Sequence, residues 1–336
     1  MQNGCVKFFM ARVYLISTDR AAIAGHWWTN FLRLKQSSLA CAVPMHHVVS
    51  TPDDADIILF SDSLSNIQAD VRNHALTKQF GEKVFIYSTN DHDIPLVPGV
   101  YTCAEKRWYL PLHMRSGFYI KVIDHDWIQP SPIKKRLMHL FSFCGSFDTH
   151  PLRRRIAKLR GAQAFVRDTS KDEGRGFGKG AETYREWQAE YFRVMRDSMF
   201  VLCPRGVAPS SYRIFEAMKA GRVPVIIADE WVPPCGPNWA EFSLQIPEAR
   251  LQDVPRILEC LIDRAPEMGL RASQAWDRWF SKEQAFQTVV TWCLQIMENA
   301  QSQGLFQRYR PIFQLARPHF FRHVVLRAAK NGLLRR

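Results

Sequence analysis

The chain alternates short apolar runs with amphipathic stretches over most of its length, and that rhythm predicts strands alternating with helices. In the first part, Arg12 to Ser17 reads as a strand and the stretch around Trp27 to Ser37 as a helix. Further strands fall near Val48, at Ile57 to Phe60 and at Val84 to Tyr87. After Gln129-Pro-Ser-Pro132 the order resumes with strand Leu140 to Cys144, helix Arg153 to Leu159, strand Ala164 to Val166, a glycine-rich loop and helix Glu182 to Arg196. Strand Met199 to Leu202, a short helix and the β-branched strand Val223 to Ile227 follow. Helices from about Pro255 to Ala300 fill the rest, and the tail beyond Gly304 reads as one or two amphipathic helices. Strands alternating with helices argue for parallel sheets covered on both faces. The prolines and the basic run Lys134-Lys135-Arg136 mark a linker. We therefore expect an α/β protein with a first domain over 1–134, a second over 135–300, and basic helices over 301–336 that pack back on the first domain or lie on a membrane surface.

The most specific local pattern runs from Leu202 to Asp229. The strand stops at Cys203-Pro204-Arg205-Gly206, where proline and glycine let the backbone come close to a ligand. Ser210 or Ser211 caps the next helix and Gly221 terminates it. Arg213 and Glu216 are three residues apart, so they share a helix face near the end where free N–H groups and the dipole attract anions. A guanidinium suits bidentate phosphate binding, and a carboxylate can accept both hydroxyls of a ribose. The plain alternative is an exposed ion pair on an ordinary crossover helix.

At 336 residues, with 46% hydrophobic and 23% charged positions, the chain is long enough for two domains with full cores. A formal charge of +13 implies attraction to anions: nucleotide sugars, acidic lipid head groups, polyanionic glycans or nucleic acid. The basic residues are scattered and lack the aromatic-glycine signature of an RNA-recognition module, so no nucleic-acid partner is expected. The eight cysteines form no CxxC pair, which favours reduced, buried thiols over a disulfide framework or a zinc site. No apolar run reaches membrane-spanning length, and the stretch from Phe8 to Ser17, broken by Arg12, reads as the first strand.

Leu-Cys-Pro-Arg-Gly, Ser-x-Arg-x-Phe-Glu-Ala and Gly-x-Val-Pro-Val-Ile occur in that order with short gaps. The segment resembles the exostosin family of glycosyltransferases, most densely over Phe200 to Pro234, with a weaker echo at Phe143-Cys-Gly-Ser-Phe147 and the basic helix after it. The resemblance implies a GT-B architecture, two Rossmann-like domains facing a cleft. It also implies inverting transfer of a sugar from a nucleotide diphosphate to a glycan or lipid-linked glycan, in surface polysaccharide or lipopolysaccharide synthesis. No metal or other cofactor is expected, since the helix end and arginine meet the diphosphate charge. Animal members are membrane-anchored Golgi enzymes. Here a cytoplasmic, bacterial relative is expected, peripheral at the inner face of the cell membrane if the tail after Arg317 binds lipid.

On this basis Arg213 is the diphosphate ligand, supported by Arg205 and the donors near Ser210 and Ser211, and Glu216 is the ribose ligand. Asp229 touches the donor sugar or shapes a turn. The base that deprotonates the acceptor belongs on the first domain, with Asp19, His26 and Asp62 as candidates and Asp91 to Asp93 beside them. Asp91-His-Asp93 and Asp124-His-Asp126 both spell DxD and are read as loop acids, and Gly174 to Gly180 as a surface loop. The rival reading is a non-catalytic protein that binds nucleotide sugar or anionic glycan, keeping Arg213 and Glu216 without a placed base.

Overall fold

The computed structural model describes residues 10–17, 29–62, 67–91, 95–134, 137–159, 163–172 and 181–301. The first half builds a six-stranded parallel sheet from β1 (Arg12–Ile16), β2 (His47–Val48), β3 (Ile57–Asp62), β4 (Val84–Ser88), β5 (Gly99–Tyr101) and β6 (Met114–Ser116), in the order β2-β1-β3-β4-β5-β6. The helices among these strands are α1 (Asn30–Ala40), α2 (Ile67–Asn73) and α3 (Ala75–Phe80). The second half builds a five-stranded parallel sheet, β11-β10-β9-β7-β8, from β7 (His139–Gly145), β8 (Ala164–Asp168), β9 (Ser198–Pro204), β10 (Val223–Ile227) and β11 (Leu244–Gln245). Its helices are α4 (Pro151–Ile156), α5 (Ala181–Arg196), α6 (Tyr212–Lys219), α7 (Val254–Glu259) and α8 (Ala265–Trp279), and α9 (Ala285–Gln301) follows. Two parallel α/β sheets are the frame expected of a GT-B protein. Central strands covered on both faces read as unbroken apolar runs, such as Ile57-Ile58-Leu59-Phe60, all of them fully buried. β5, β6 and β11, only two or three residues long, are absent from the sequence reading, whereas the equally short β2 was read near Val48.

The order of the second sheet fixes where a ligand can sit. From β7 the chain steps outward to β8, then returns to place β9 on the other side of β7. The carboxyl ends of β7 and β9 therefore flank a topological switch point, where the following loops diverge and leave a crevice.

The halves share one apolar core. Phe118, just after β6, packs against Phe215 of α6 at 6.0 Å, Phe280 at 4.9 Å and Trp292 of α9 at 6.4 Å between ring centroids. The sequence reading placed α9 in the second domain, whereas it packs on the first. Gln287 accepts from His46 N at 2.8 Å and donates to His46 O at 3.1 Å, and Phe286 N donates to Ser37 Oγ at 2.8 Å. This crossing back was expected of the tail, and residues 302–336 lie outside the described residues. The linker is held by buried Arg222, which donates to Ser131 O, Ser131 Oγ and Arg196 O. None of the described helices is long and apolar enough to cross a membrane. Cys144, Cys203 and Cys293 are buried free thiols, and Cys235 and Cys260 are exposed.

Candidate functional site

A cavity of about 450 Å³ opens at the switch point, within the size range of small-molecule sites. Its inner end is built from the loops after β7 and β9. Ser211 caps α6, its side chain accepting from Arg213 N, so the free N–H groups of the first turn face the crevice. Arg213 donates through Nε and Nη2 to Cys144 O at the end of β7, and its guanidinium lies 4.8 Å from the Phe143 ring centroid. That seat exists because residue 145 is glycine: a Cβ there would overlap Nη2 and lie 2.8 Å from Cζ. Beside it buried Arg153 donates to Ser146 O, Pro204 O and Arg205 O, bracing the β7 and β9 loops together. Ser210 Oγ and Thr149 Oγ1 line the cavity, buried and without a hydrogen-bond partner among the described residues. Buried polar atoms in this condition point to a ligand that completes them. Two guanidinia, two hydroxyls and a helix N-terminus together suit a diphosphate.

One turn along α6, Glu216 forms the floor. Its Oε2 accepts from Tyr191 Oη at 2.6 Å, and its Oε1 lies 3.1 Å from His125 Nδ1, an ion-pair distance without hydrogen-bond alignment. Burial pushes its pKa up, but the His125 imidazole, the Tyr191 hydroxyl and the Arg213 charge outweigh that and hold the carboxyl below its ordinary value. A carboxylate has lone pairs left after two such contacts, so two sugar hydroxyls can still bind it. Above the floor stand two aromatic walls. On α5, Tyr184, Trp187 and Tyr191 are nearly parallel, with centroids 6.3 and 5.4 Å apart and planes within 13°. His125 and Trp127, stacked at 4.4 Å, also line the cavity.

The outer wall belongs to the first half. Tyr119 stacks on Tyr212 of α6 at 3.9 Å, and its hydroxyl lies 3.2 Å from the Cys103 thiol, which donates to Asp91 Oδ1. Lys121 also faces the cavity, its pKa lowered by burial first and by Arg33 next. Lys219, near the end of α6, donates to Val122 O, Ile123 O and His125 O at 3.0–3.2 Å and so fixes the turn that carries His125.

Of the residues proposed from sequence, Ser210, Ser211, Arg213 and Glu216 meet in this cavity. Arg205 does not line it: its guanidinium turns to Glu248 at 3.9 Å, and Arg153 holds the position by the phosphate end instead. Asp229 is likewise outside, exchanging hydrogen bonds with Glu248 in a turn. Asp19 and His26 lie outside the described residues, as do His92, Asp93 and Gly174 to Gly180. Asp62 ends β3, with its side chain outside them too. Of Asp124-His-Asp126, read as loop acids, Asp124 closes a short 3-10 helix over Ile120–Asp124 and accepts from Arg33 Nε at 2.6 Å. The residue between them, His125, was missed, as were Tyr119, Trp127 and the α5 aromatics. Their spacing of three and four residues on α5 was the one readable signal.

Residues 112–261 match the Exostosin GT47 domain, a stretch that contains every cavity residue except Asp91. A probable glucuronosyltransferase of Oryza sativa subsp. japonica is 28% identical over 186 residues, 54% of this chain and 40% of that protein. Exostosin-1 of Drosophila melanogaster is 30% identical over 103 residues, 30% of this chain and 14% of that protein. The chain thus spans less than half the length of these curated relatives. Among solved structures, TarM aligns with a TM-score of 0.41 at 12% identity, over 71% of this chain and 54% of its own. Anabaena HepE in complex with UDP-glucose aligns with a TM-score of 0.36 at 14% identity, over 74% and 79%. The stretch that carries the cavity is thus similar to the exostosin domain of glycosyltransferases.

Proposed function

We propose that this protein transfers a sugar from a nucleotide diphosphate to a hydroxyl of a glycan, with inversion at the anomeric carbon. The observation that carries this reading is Arg213 and Glu216 on one face of α6, both opening into one cavity at the switch point. Arg213, Arg153, the α6 N–H groups and the Ser210 and Thr149 hydroxyls meet the diphosphate, and Glu216 takes the ribose hydroxyls. As the acceptor oxygen bonds to the anomeric carbon, the bond to phosphate breaks and its electron pair leaves with the diphosphate. The same donors stabilise that growing charge. The acceptor proton goes to a group on the first half. Asp91 is the acidic side chain described there at the cavity, and Asp19, His26 and Asp62 remain candidates. The relatives named as glucuronosyltransferases support sugar transfer as the reaction. The acceptor is proposed to belong to a surface polysaccharide or lipopolysaccharide, reached from the cytoplasmic side, and no metal is proposed in the mechanism.

Calorimetric titration with UDP, GDP and CMP, followed by turnover of the matching nucleotide sugar, tests this. Arg213→Ala should weaken the best-binding nucleotide by about 1.5–3 kcal/mol, the worth of a hydrogen bond to a charged group. Unchanged affinity removes Arg213 from the site. Tight binding without turnover would make the protein a binder rather than an enzyme.

A further inference from the structure

The two aromatic walls differ in origin. Tyr184, Trp187 and Tyr191 stand on α5 of the second half, whereas His125 and Trp127 stand on the segment that leaves the first sheet after β6. Glu216 reaches both, Oε2 to Tyr191 and Oε1 to His125, so the walls meet at the carboxylate that binds the ribose under the proposed reading. Their bases are thus separated by one carboxylate and two contacts of hydrogen-bond length. Both groups of rings line the same cavity beside that carboxylate. The far wall is also fixed in place. Lys219 holds the carbonyl of His125 from the same helix whose Glu216 faces its ring, so α6 grips the residue at two points. Finally, the domain match starts at residue 112 and so takes this segment with the second sheet, leaving β1 to β5 outside.

We infer that Trp127, with His125 behind it, is the second wall of the nucleobase slot, so that a donor nucleoside lies between the α5 aromatics and a residue contributed by the first half. This inference rests on the nucleotide-diphosphate reading. It adds that the nucleoside, and not only the transferred sugar, spans both halves. Stacking on an aromatic side chain is sequence-tolerant and strong, about 1–3 kcal/mol per base. Trp127 therefore contributes affinity without choosing the base.

The test separates base from phosphate. The intact chain and its Trp127→Leu and Trp127→Phe variants are titrated with UDP, GDP and inorganic pyrophosphate. Leucine keeps apolar bulk but has no flat π face, and phenylalanine keeps the face. The expected result is a loss of roughly 5- to 150-fold in Trp127→Leu for whichever nucleotide binds the unaltered protein, with pyrophosphate affinity unchanged within twofold and most of the loss restored in Trp127→Phe. Equal losses for nucleotide and pyrophosphate, or no loss for either, overturn the slot while leaving the donor site intact. If Trp127→Leu does not fold, the Trp127→Phe and Trp187→Leu variants carry the same comparison, and a nucleotide affinity that neither moves overturns it as well. Failure of every nucleotide to bind the unaltered protein overturns both the slot and the reading beneath it.

Discussion

Gly145→Ala would displace one functional side chain while leaving the strand that carries it in place. Gly145 ends β7 without a left-handed backbone angle, so alanine fits the main chain. The new methyl would overlap Arg213 Nη2 and lie 2.8 Å from Cζ and 3.0 Å from Phe143 Cζ, all inside van der Waals contact. A guanidinium is the end of a flexible chain, so it can swing away. It then loses its hydrogen bonds to Cys144 O and its place over Phe143. The fold should lose about 1–2 kcal/mol, from a charged hydrogen bond and a cation–π contact partly replaced by water. Nucleotide affinity should fall further, by about 1.5–3 kcal/mol or roughly 10- to 150-fold, because the phosphate ligand is no longer aimed. A double-mutant cycle read by calorimetry gives the decisive number. In an Arg213→Ala background the added methyl has no guanidinium to move, so its effect on affinity should vanish, and the coupling energy should equal the whole single-variant loss. Affinity within twofold of the unaltered protein, or losses that simply add, would refute the seat we assign to Arg213.

Two further expectations concern stability. His46 and His113 are held neutral by burial, each lowered from 6.5 to about 4. Their folded pKa values lie below the unfolded one, so their contribution is complete above about pH 6.5 and is lost as the pH falls toward 4. Denaturant unfolding should show about 2 kcal/mol less stability per histidine at pH 5 than at pH 7. His46→Asn should remove half of that slope, and an unchanged slope would count against the assignment. Gly221 follows the C-terminus of α6 at φ +69°, with Ser131 O 3.2 Å from where a Cβ would stand. Gly221→Ala should cost about 1–2 kcal/mol through the left-handed conformation, and a melting temperature equal to that of the unaltered protein would contradict this.

What the sequence disclosed was local. Ser211 and Gly221 bound α6 through hydrogen bonds and a backbone angle that involve only near neighbours, so both ends of the helix were legible. Arg213 and Glu216 were legible for the same reason, since three-residue spacing sets a shared face. Arg205 misled because it adjoins Gly206. Its side chain leaves toward Glu248, whereas Arg153, 52 residues earlier, reaches its carbonyl through tertiary packing. His125 was hidden by its neighbours: it was read together with the flanking acids as part of a loop, and the partner that gives His125 meaning lies 91 residues away on α6. Likewise nothing near Gly145 announces that an arginine from α6 will occupy the space its missing side chain leaves.

The interlocked rings of Phe118, Phe215 and Phe280 also say where this protein can be recombined. A chimera that exchanges donor specificity between relatives by cutting in the proline linker would strand Phe118 in the wrong parent, together with Tyr119, His125 and Trp127. A crossover placed before residue 112 keeps Phe118 with Phe215 and Phe280, at the cost of parting β6 from β5 and, if α9 stays with the parent of the first sheet, Phe118 from Trp292. The unit that can be inherited or engineered as one piece therefore begins inside the first sheet, upstream of the visible linker.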